Sequence, residues 1–384
     1  MKALALVDAP DHVCCRYRIR AFEPALVRSG WSLCIRSIER GTFGRWLQFA
    51  RLPSFDTVIL QRKLLPQWHL RTLRRRVRRL VFDFDDAVLY RDSYDLRGPH
   101  CPHRARRFAA TVRAADVVVA GNDFLADCAL RAGARADRVR MIPTCVAPEH
   151  YEPRPRDVEH RPGLELVWIG SSSTLQGIRQ RRPLWERLAR EVPGVRLKLI
   201  CDRGLDLGAM PVVAVPWEGT TEASELAAAD VGVTWVPDDL WSRGKCGLKV
   251  LQYMAAGLPV LANPVGVHQE MVRPGVNGFL PATDDEWVSA VRVLAHESAA
   301  CHRLGQRARQ TIEADYSVAA WEAAVVATLT GASRVPSPVF DRLASLSLGV
   351  WNLTPQEGPV VPVQPGVDGV GSDPGNEWRC GATG

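Results

Sequence analysis

Short runs of valine, leucine and isoleucine alternate with stretches of helical periodicity along the chain as far as residue 330. This alternation constrains the fold more than any other feature, because repeated β–α–β units force parallel sheets covered by helices. In the first half the pattern places strands at 4–8, 33–37, 57–61, 80–84, 117–120 and 139–142. It also predicts a helix over 18–27, with Ile19, Phe22, Leu26 and Val27 as its apolar positions and Gly30 as its stop. Between 148 and 163 the proline-rich, charged segment interrupts the pattern. A second set follows, with strands at 164–169, 196–199, 212–215, 231–235, 259–262 and 278–280. Helices are expected between them at 181–191, 222–228, 248–256, 285–296 and 300–314.

Two α/β domains are therefore expected, 1–150 and 164–330, joined by a linker at 151–163. A Pro- and Gly-rich tail at 331–384 carries no periodicity and reads as disordered. Two open parallel sheets joined this way imply a cleft, with ligands at the carboxyl ends of the strands. No apolar stretch approaches the ~20 residues that a membrane span requires. The first residues read as a strand and not as a signal peptide, so a cytoplasmic location is expected. The 10 cysteines sit mostly inside expected elements, as Cys34, Cys128, Cys201 and Cys246 do, which suits free thiols. Neither His12 with Cys14 and Cys15 nor the 100–103 run has a second ligand pair at zinc-like spacing, and no metal site is expected.

The net charge of +7 has much of its excess between 16 and 113, densest in the arginine run of 71–79. An anionic membrane surface, a phosphorylated substrate or a solvated helix face would each suit it. No nucleic-acid-binding signature accompanies the charge, so nucleic acid is excluded as a partner. Phe43, Trp46 and Phe49 beside this run add an expected peripheral contact with an anionic membrane.

The most informative stretch is 241–272. Arg243, Lys245 and Lys249 gather at an expected helix start, the helix running from near Lys245 to Gly257, with the two lysines four apart on one face. Cations at a helix N-terminus oppose the macrodipole, and a bound phosphate or diphosphate would reverse the sign. Gly170, Ser171 and Ser172 follow a strand and precede a helix, a second position suited to phosphate.

The run 249–260, Lys-Val-Leu-Gln-Tyr-Met-Ala-Ala-Gly-Leu-Pro-Val, with 264–270 and 275–280, resembles the donor-binding signature of group 1 glycosyltransferases, the retaining family 4 enzymes with the GT-B fold. Segments at 166–174, 215–217 and 225–233 extend the likeness through the second domain. The likeness continues more weakly at 15–20 and 82–87 in the first. The resemblance implies two Rossmann-like domains facing each other across a cleft and transfer of a sugar from a nucleotide-sugar donor. A glycan, lipid-linked saccharide or small molecule is the acceptor, and no cofactor or metal takes part. It implies donor binding by Gly170, Ser171, Ser172, Arg243, Lys245, Lys249 and Gln252, with Glu270 in the donor-sugar loop. The chain departs from the pattern at two points, because the family's paired glutamates fall on Gly244 and Gln252. Asp238 or Asp239 substitutes, or donor handling differs, or catalysis is lost. This leaves a non-catalytic sugar-nucleotide-binding partner of another transferase as the alternative.

In the first domain Asp83, Asp85 and Asp86 end an expected strand at the cleft. They are expected to bind acceptor hydroxyls or act as base, with mutual repulsion raising one pKa. Arg16 and Arg18 are the expected contacts for an anionic acceptor.

Overall fold

The computed structural model describes residues 1–153 and 163–331. Strands β1 (Lys2–Val7), β2 (Ser32–Ser37), β3 (Thr57–Gln61), β4 (Leu80–Phe84), β5 (Val117–Ala120) and β6 (Val139–Met141) form one parallel sheet in the order β2-β1-β3-β4-β5-β6. Strands β7 (Leu164–Ile169), β8 (Val195–Ile200), β9 (Val212–Val215), β10 (Val231–Thr234), β11 (Val260–Ala262) and β12 (Gly278–Phe279) form a second, ordered β12-β11-β10-β7-β8-β9. Every strand pair is parallel, and helices cover the faces of both sheets, so central strands such as β3 and β4 are buried along their whole length. The expected two-domain α/β fold is the observed one.

Three departures bear on function. The helix expected over 18–27 is broken into Val13–Arg18, a 3-10 turn at Arg20–Phe22 and Glu23–Arg28. Pro24, which has no N–H to continue a helical ladder, sits in the first turn of the last piece. This break places Tyr17 and Arg18 on a separate short helix at the mouth of the first sheet. The helix expected from Lys245 begins instead at Leu248, after Gly247 in the left-handed region at φ 63°. Lys245 and Lys249 therefore do not share a helix face. Lys245 lies in the turn between the Leu240–Arg243 and Leu248–Ala255 helices.

The third departure concerns the end of the chain's second half. The Val318–Thr330 helix buries Trp321, Val325 and Leu329 against the first sheet, not the second. Thr57 donates to Leu329 O at 2.9 Å and Arg79 to Thr328 O at 2.9 Å, which closes the chain back onto the first lobe. The 164–330 segment assigned to the donor domain thus ends in a helix that packs as part of the other lobe. The 331–384 tail beyond residue 331, and residues 154–162 of the linker, lie outside the described residues. No helix among those described is long and apolar enough to cross a membrane.

Candidate active site at the lobe boundary

The two lobes meet along the carboxyl ends of β4, β5, β7 and β10. The 241–247 segment of the second lobe docks on the first: Cys246 is buried among the first lobe's core residues. Asn122, after β5, donates from Nδ2 to Arg243 O at 3.3 Å and Lys245 O at 3.1 Å, while its Oδ1 caps the Asp123–Arg131 helix at Leu125 N. Gly244 has an ordinary φ of −81°, so conformation does not demand glycine. Contact does: a Cβ there would lie 2.5 Å from Ala87 Cβ and 2.8 Å from Ala87 N. A glutamate at 244 has no room, because first-lobe backbone fills its place.

The first-lobe acids are not equivalent. Asp83 is buried and held by Arg18, whose Nε reaches both carboxylate oxygens at 3.0 Å and whose Nη2 reaches one at 2.6 Å. Arg18 also donates to Ile142 O at 3.0 Å and is itself buried. Neither residue is therefore placed for acceptor binding or base chemistry, contrary to the sequence expectation. Asp85 pairs with Arg62 Nε, and Asp86 accepts from Arg62 Nη2 at 2.7 Å. Burial works to raise the Asp85 carboxyl, but Arg62 and then Arg18 overcome it and hold it below the ordinary carboxylate value. The expected upward shift does not occur at Asp85, because two arginines outweigh the effect of burial. Arg62 sits at φ 57°, a costly conformation for a residue with a side chain, held here by the two carboxylates and by its N–H bond to Asp83 O at 2.8 Å. Asp86 alone of the three also faces the second lobe, 3.9 Å from Lys245 Nζ.

The second-lobe side has the opposite character. Lys249 runs its aliphatic stem over Gly170, where an added Cβ would come within 2.9 Å of Lys249 Cε, and sets its ammonium 5.2 Å from the Trp168 ring centre. Burial first, and then Lys245, push its pKa down to about 8. No carboxylate among the described residues lies within ion-pairing distance of Lys249. His268, buried and bonded through Nδ1 to Asn263 O at 2.9 Å, is pushed down to about 4 by burial and by Lys249, and so is neutral. A half-enclosed lysine on an aromatic face, with no counter-ion, is a ready anion site.

Other expected donor contacts are partly spent within the protein. Gly170 N–H continues the sheet to Ile200 O at 3.1 Å, and Ser172 N–H donates to Asp202 Oδ1 at 2.6 Å. The Ser171 and Ser173 hydroxyls bond each other at 2.8 Å and the Ser172 side chain also bonds Asp202, which leaves the Ser171 N–H and one hydroxyl hydrogen of the 171–173 pair as donors of that loop. Arg243 is exposed and paired with Asp238 at 2.8 Å, and Asp239 caps the Leu240–Arg243 helix at Ser242 N, 2.7 Å away. Both aspartates expected as substitutes for the glutamate missing at 244 are thus already engaged within the protein. Glu270 and Arg243 line a separate cleft of about 260 Å³ that Asn122 and Phe124 close from the first lobe. Arg16 is half-exposed, 3.9 Å from Glu222 Oε1. Gln252 is buried against Tyr17, with Nε2 at 3.3 Å from its Oη.

Sequence reading did not find Arg62, Trp168, Asn122, Tyr17 or Glu222. Only Trp168 carried a local signal, as the aromatic two residues before Gly170. The others are brought together by contacts between distant segments.

Residues 185–297 match the family model described as Glycosyl transferases group 1. EpsD of Bacillus subtilis (strain 168), which is named as a glycosyltransferase, is 40% identical over 67 residues. That stretch is 17% of this chain and only 18% of the length of EpsD. Solved structures match far more of the chain. The Anabaena protein Alr3699/HepE in complex with UDP and glucose is 18% identical with a TM-score of 0.61, covering 86% of this chain and 100% of that one. The sucrose-phosphate synthase of Thermosynechococcus elongatus is 17% identical with a TM-score of 0.62, covering 90% and 100%. A glycosyltransferase from Rickettsia africae is 12% identical with a TM-score of 0.64, covering 86% and 99%. The chain therefore has the two-lobed GT-B fold of these structures, and residues 185–297 of its second lobe match the group 1 glycosyltransferase model.

Proposed function

We propose that the protein is a retaining glycosyltransferase whose nucleotide-sugar donor lies on the second lobe with its diphosphate on Lys249. The observation that carries this reading is the lysine itself, half-enclosed over Gly170 and Trp168 and left without a carboxylate. Lys245 and the Ser171 N–H supply further donors to the same anion. Structures of similar fold were solved with UDP, and the donor proposed here is likewise a nucleoside-diphosphate sugar.

In transfer, the bond between the sugar's anomeric carbon and the diphosphate breaks while an acceptor hydroxyl oxygen bonds to that carbon from the same face. The departing diphosphate takes the hydroxyl proton, and Lys249 and Lys245 stabilise the negative charge that grows there. Asp86 orients the acceptor hydroxyl from the first lobe. Its anchoring to Arg62 and its proximity to Lys245 support this role. Thermal shift with UDP, GDP, ADP, dTDP and CMP, each with its sugar conjugates, tests the donor reading beside Lys249→Ala. Stabilisation of the wild type and not the variant supports it, and no stabilisation of the folded wild type overturns it. Binding without turnover over a panel of acceptors would instead favour a non-catalytic binding partner.

The acceptor is proposed to be presented at an anionic membrane. Phe43 and Trp46 on the Thr42–Ala50 helix are 72% and 39% exposed, and Trp68 on the adjoining Gln67–Arg76 helix is 44% exposed, beside exposed Arg71, Arg75 and Arg76. Phe49 is not part of this face, since it is fully buried under it. Arg74 and Arg79 are also withdrawn from it, bonded to Asp116 and to Thr328 O. Co-sedimentation with phosphatidylglycerol vesicles at low salt, lost in Phe43→Ser with Trp46→Ser, is the expected result. No sedimentation of the wild type overturns it.

A further inference from the structure

Residues 90–100 of the first lobe form a loop that is packed on itself and whose ends touch. Tyr90 and His100 pair as an antiparallel bridge, their rings edge to face at 5.8 Å, and Arg91 N donates to Pro99 O at 2.8 Å. Arg91 fills the interior, where Nη1 donates to Gly98 O at 3.1 Å and to Arg97 O at 3.3 Å. Asp92 accepts from Tyr94 N at 2.9 Å, and Asp95 accepts from Arg97 N at 3.0 Å and Arg97 Nε at 2.9 Å. A loop closed in this way is a compact unit on a narrow neck.

The unit crosses to the second lobe. Ser93 Oγ lies 3.1 Å from the Oγ of Ser242, which is buried in the Leu240–Arg243 helix. Tyr94 sets its Oη against Gly177, where an added Cβ would lie 3.4 Å from it and 2.9 Å from Trp235 O. Ser93 and Tyr94 are half-buried, whereas Leu96 at the tip is fully exposed. Asp86 stands just before the loop, and Gly177 just after the 170–174 segment that Lys249 borders. The loop therefore joins the two walls of the proposed donor site.

The lobes are also joined at a second place, and more firmly. There Asn122 holds the carbonyls of Arg243 and Lys245, Gly244 packs on Ala87, and Cys246 is buried in the first-lobe core. Parting that junction would expose core. Lifting the loop breaks one hydrogen bond between hydroxyls and uncovers one phenol, and the Ala87 contact is kept because it lies before the neck. We propose that residues 90–100 are a clasp over the donor site. It lifts about the Tyr90–His100 neck, releases Ser242 and Gly177, and lets the nucleotide pass while the 243–246 segment stays docked. The lobes then need not separate for each turnover. Passage of a nucleotide rests on the donor reading above, whereas the lifting itself does not.

The test locks the loop and then frees it, in the full chain. Ser93→Cys with Ser242→Cys places a reversible disulfide across the lobes, in a Cys101→Ser background that removes the half-buried thiol beside the neck. The two hydroxyls already touch, and a disulfide needs Cβ atoms about 3.5–4.5 Å apart. Hydrogen exchange read by mass spectrometry reports opening without a ligand. Oxidation is expected to slow exchange in peptides covering 176–180 and 240–243 and to leave 122–126 unchanged. Ser93→Ala with Tyr94→Ala needs no disulfide, and should speed exchange in the first two peptides by about fivefold or more, the worth of one neutral hydrogen bond. Equal exchange in the oxidised and reduced forms overturns the clasp. So does exchange in the alanine variant that rises equally in 122–126, since the lobes would then be parting as a whole. Stopped-flow association of UDP, GDP and ADP is the second arm, and the oxidised form is expected to bind about tenfold more slowly until dithiothreitol is added. A nucleotide that binds equally fast to both forms overturns the gating role and leaves the donor reading standing. A folded wild type that binds no nucleotide removes the donor reading, and the exchange arm still decides whether the loop lifts.

Discussion

The mouths of the two sheets have the same architecture and opposite electrostatics. On the first-lobe side every carboxylate has its cation: Asp83 with Arg18, Asp85 and Asp86 with Arg62. On the second-lobe side Lys249 sits on Trp168 with no carboxylate among the described residues in ion-pairing distance, its pKa pushed down by burial and by Lys245 further than Asp86 raises it. A satisfied charge cluster resists change and orients what is attached to it. An unsatisfied one is unfavourable until something binds. In the reading proposed above, the first lobe is the rigid wall and the second lobe supplies the binding energy.

The largest effect is expected from opening the satisfied side. Arg18→Met leaves Asp83 buried without its partner, which typically costs about 3–5 kcal/mol. Denaturant unfolding should show it as a lower midpoint with an unchanged slope. Adding Asp83→Leu should return much of the loss, since removing both charges can be neutral where removing one is not. If Arg18→Met alone is harmless, Asp83 is better solvated than its burial implies, and the contrast between the mouths fails.

The opposite side should respond to ligand, and losing its charge should not weaken the fold. Lys249→Met is expected to stabilise the free protein at neutral pH, where it removes a charge held against its pKa shift, while abolishing stabilisation by nucleotide, about 2.7 kcal/mol for the wild type at 100 times the dissociation constant. Acidity separates the two roles further. The folded pKa of Lys249, about 8, lies below the 10.5 of an ordinary lysine. Between those values the unfolded chain binds more protons, so this residue makes the free protein more stable as pH rises through that window. Nucleotide binding runs the other way, since it needs the charged form, and affinity should fall from pH 7 to pH 9. Lys249→Met should flatten both slopes. Affinity that is flat across that range would mean another group holds the diphosphate.

How legible this was in the sequence differs between levels. Strand periodicity and the Gly- and Pro-marked boundaries are local, so β3, β4, β5, β7 and β9 fall where the pattern places them. The basic cluster around Lys249 was legible for the same reason. Which acids are usable was not, because Arg18 lies 65 residues from Asp83 and Arg62 lies 23 from Asp85. An aspartate run reads the same in sequence whether arginines neutralise it or not. Gly244 shows the limit most clearly. As a sequence position it reads as a missing side chain, whereas in the structure it is a contact with Ala87 from the other lobe.

That contact gives the next effect in size. Gly244→Ala is conformationally permitted at φ −81° and is opposed only by Ala87. Overpacking of this kind costs about 1–3 kcal/mol. The cost should appear chiefly as separation of the lobes, read as a larger radius of gyration by small-angle scattering. Ala87→Gly should recover part of it by removing the Cβ, though not the approach to the Ala87 nitrogen. Compact lobes in Gly244→Ala would show that the first lobe yields easily, and so could admit a donor-sugar contact there.

The smallest effect tests whether every cation near the lobe boundary belongs to the anion site. Arg243 falls beside Lys245 in sequence, yet it is exposed and already paired with Asp238 by two hydrogen bonds of 2.8 and 3.2 Å. An exposed pair is worth about 0.2–1 kcal/mol, so Arg243→Ala should barely move the unfolding midpoint. Its effect on nucleotide affinity depends on whether Asp238 releases it. In Asp238→Asn the guanidinium loses its hydrogen-bonded counter-ion, and affinity should rise if Arg243 reaches the diphosphate. Unchanged affinity in both variants would confine the anion site to Lys249 and Lys245. The boundary between the satisfied and unsatisfied charges would then run within the 243–249 segment itself, between an arginine that carries its own counter-ion and a lysine that does not.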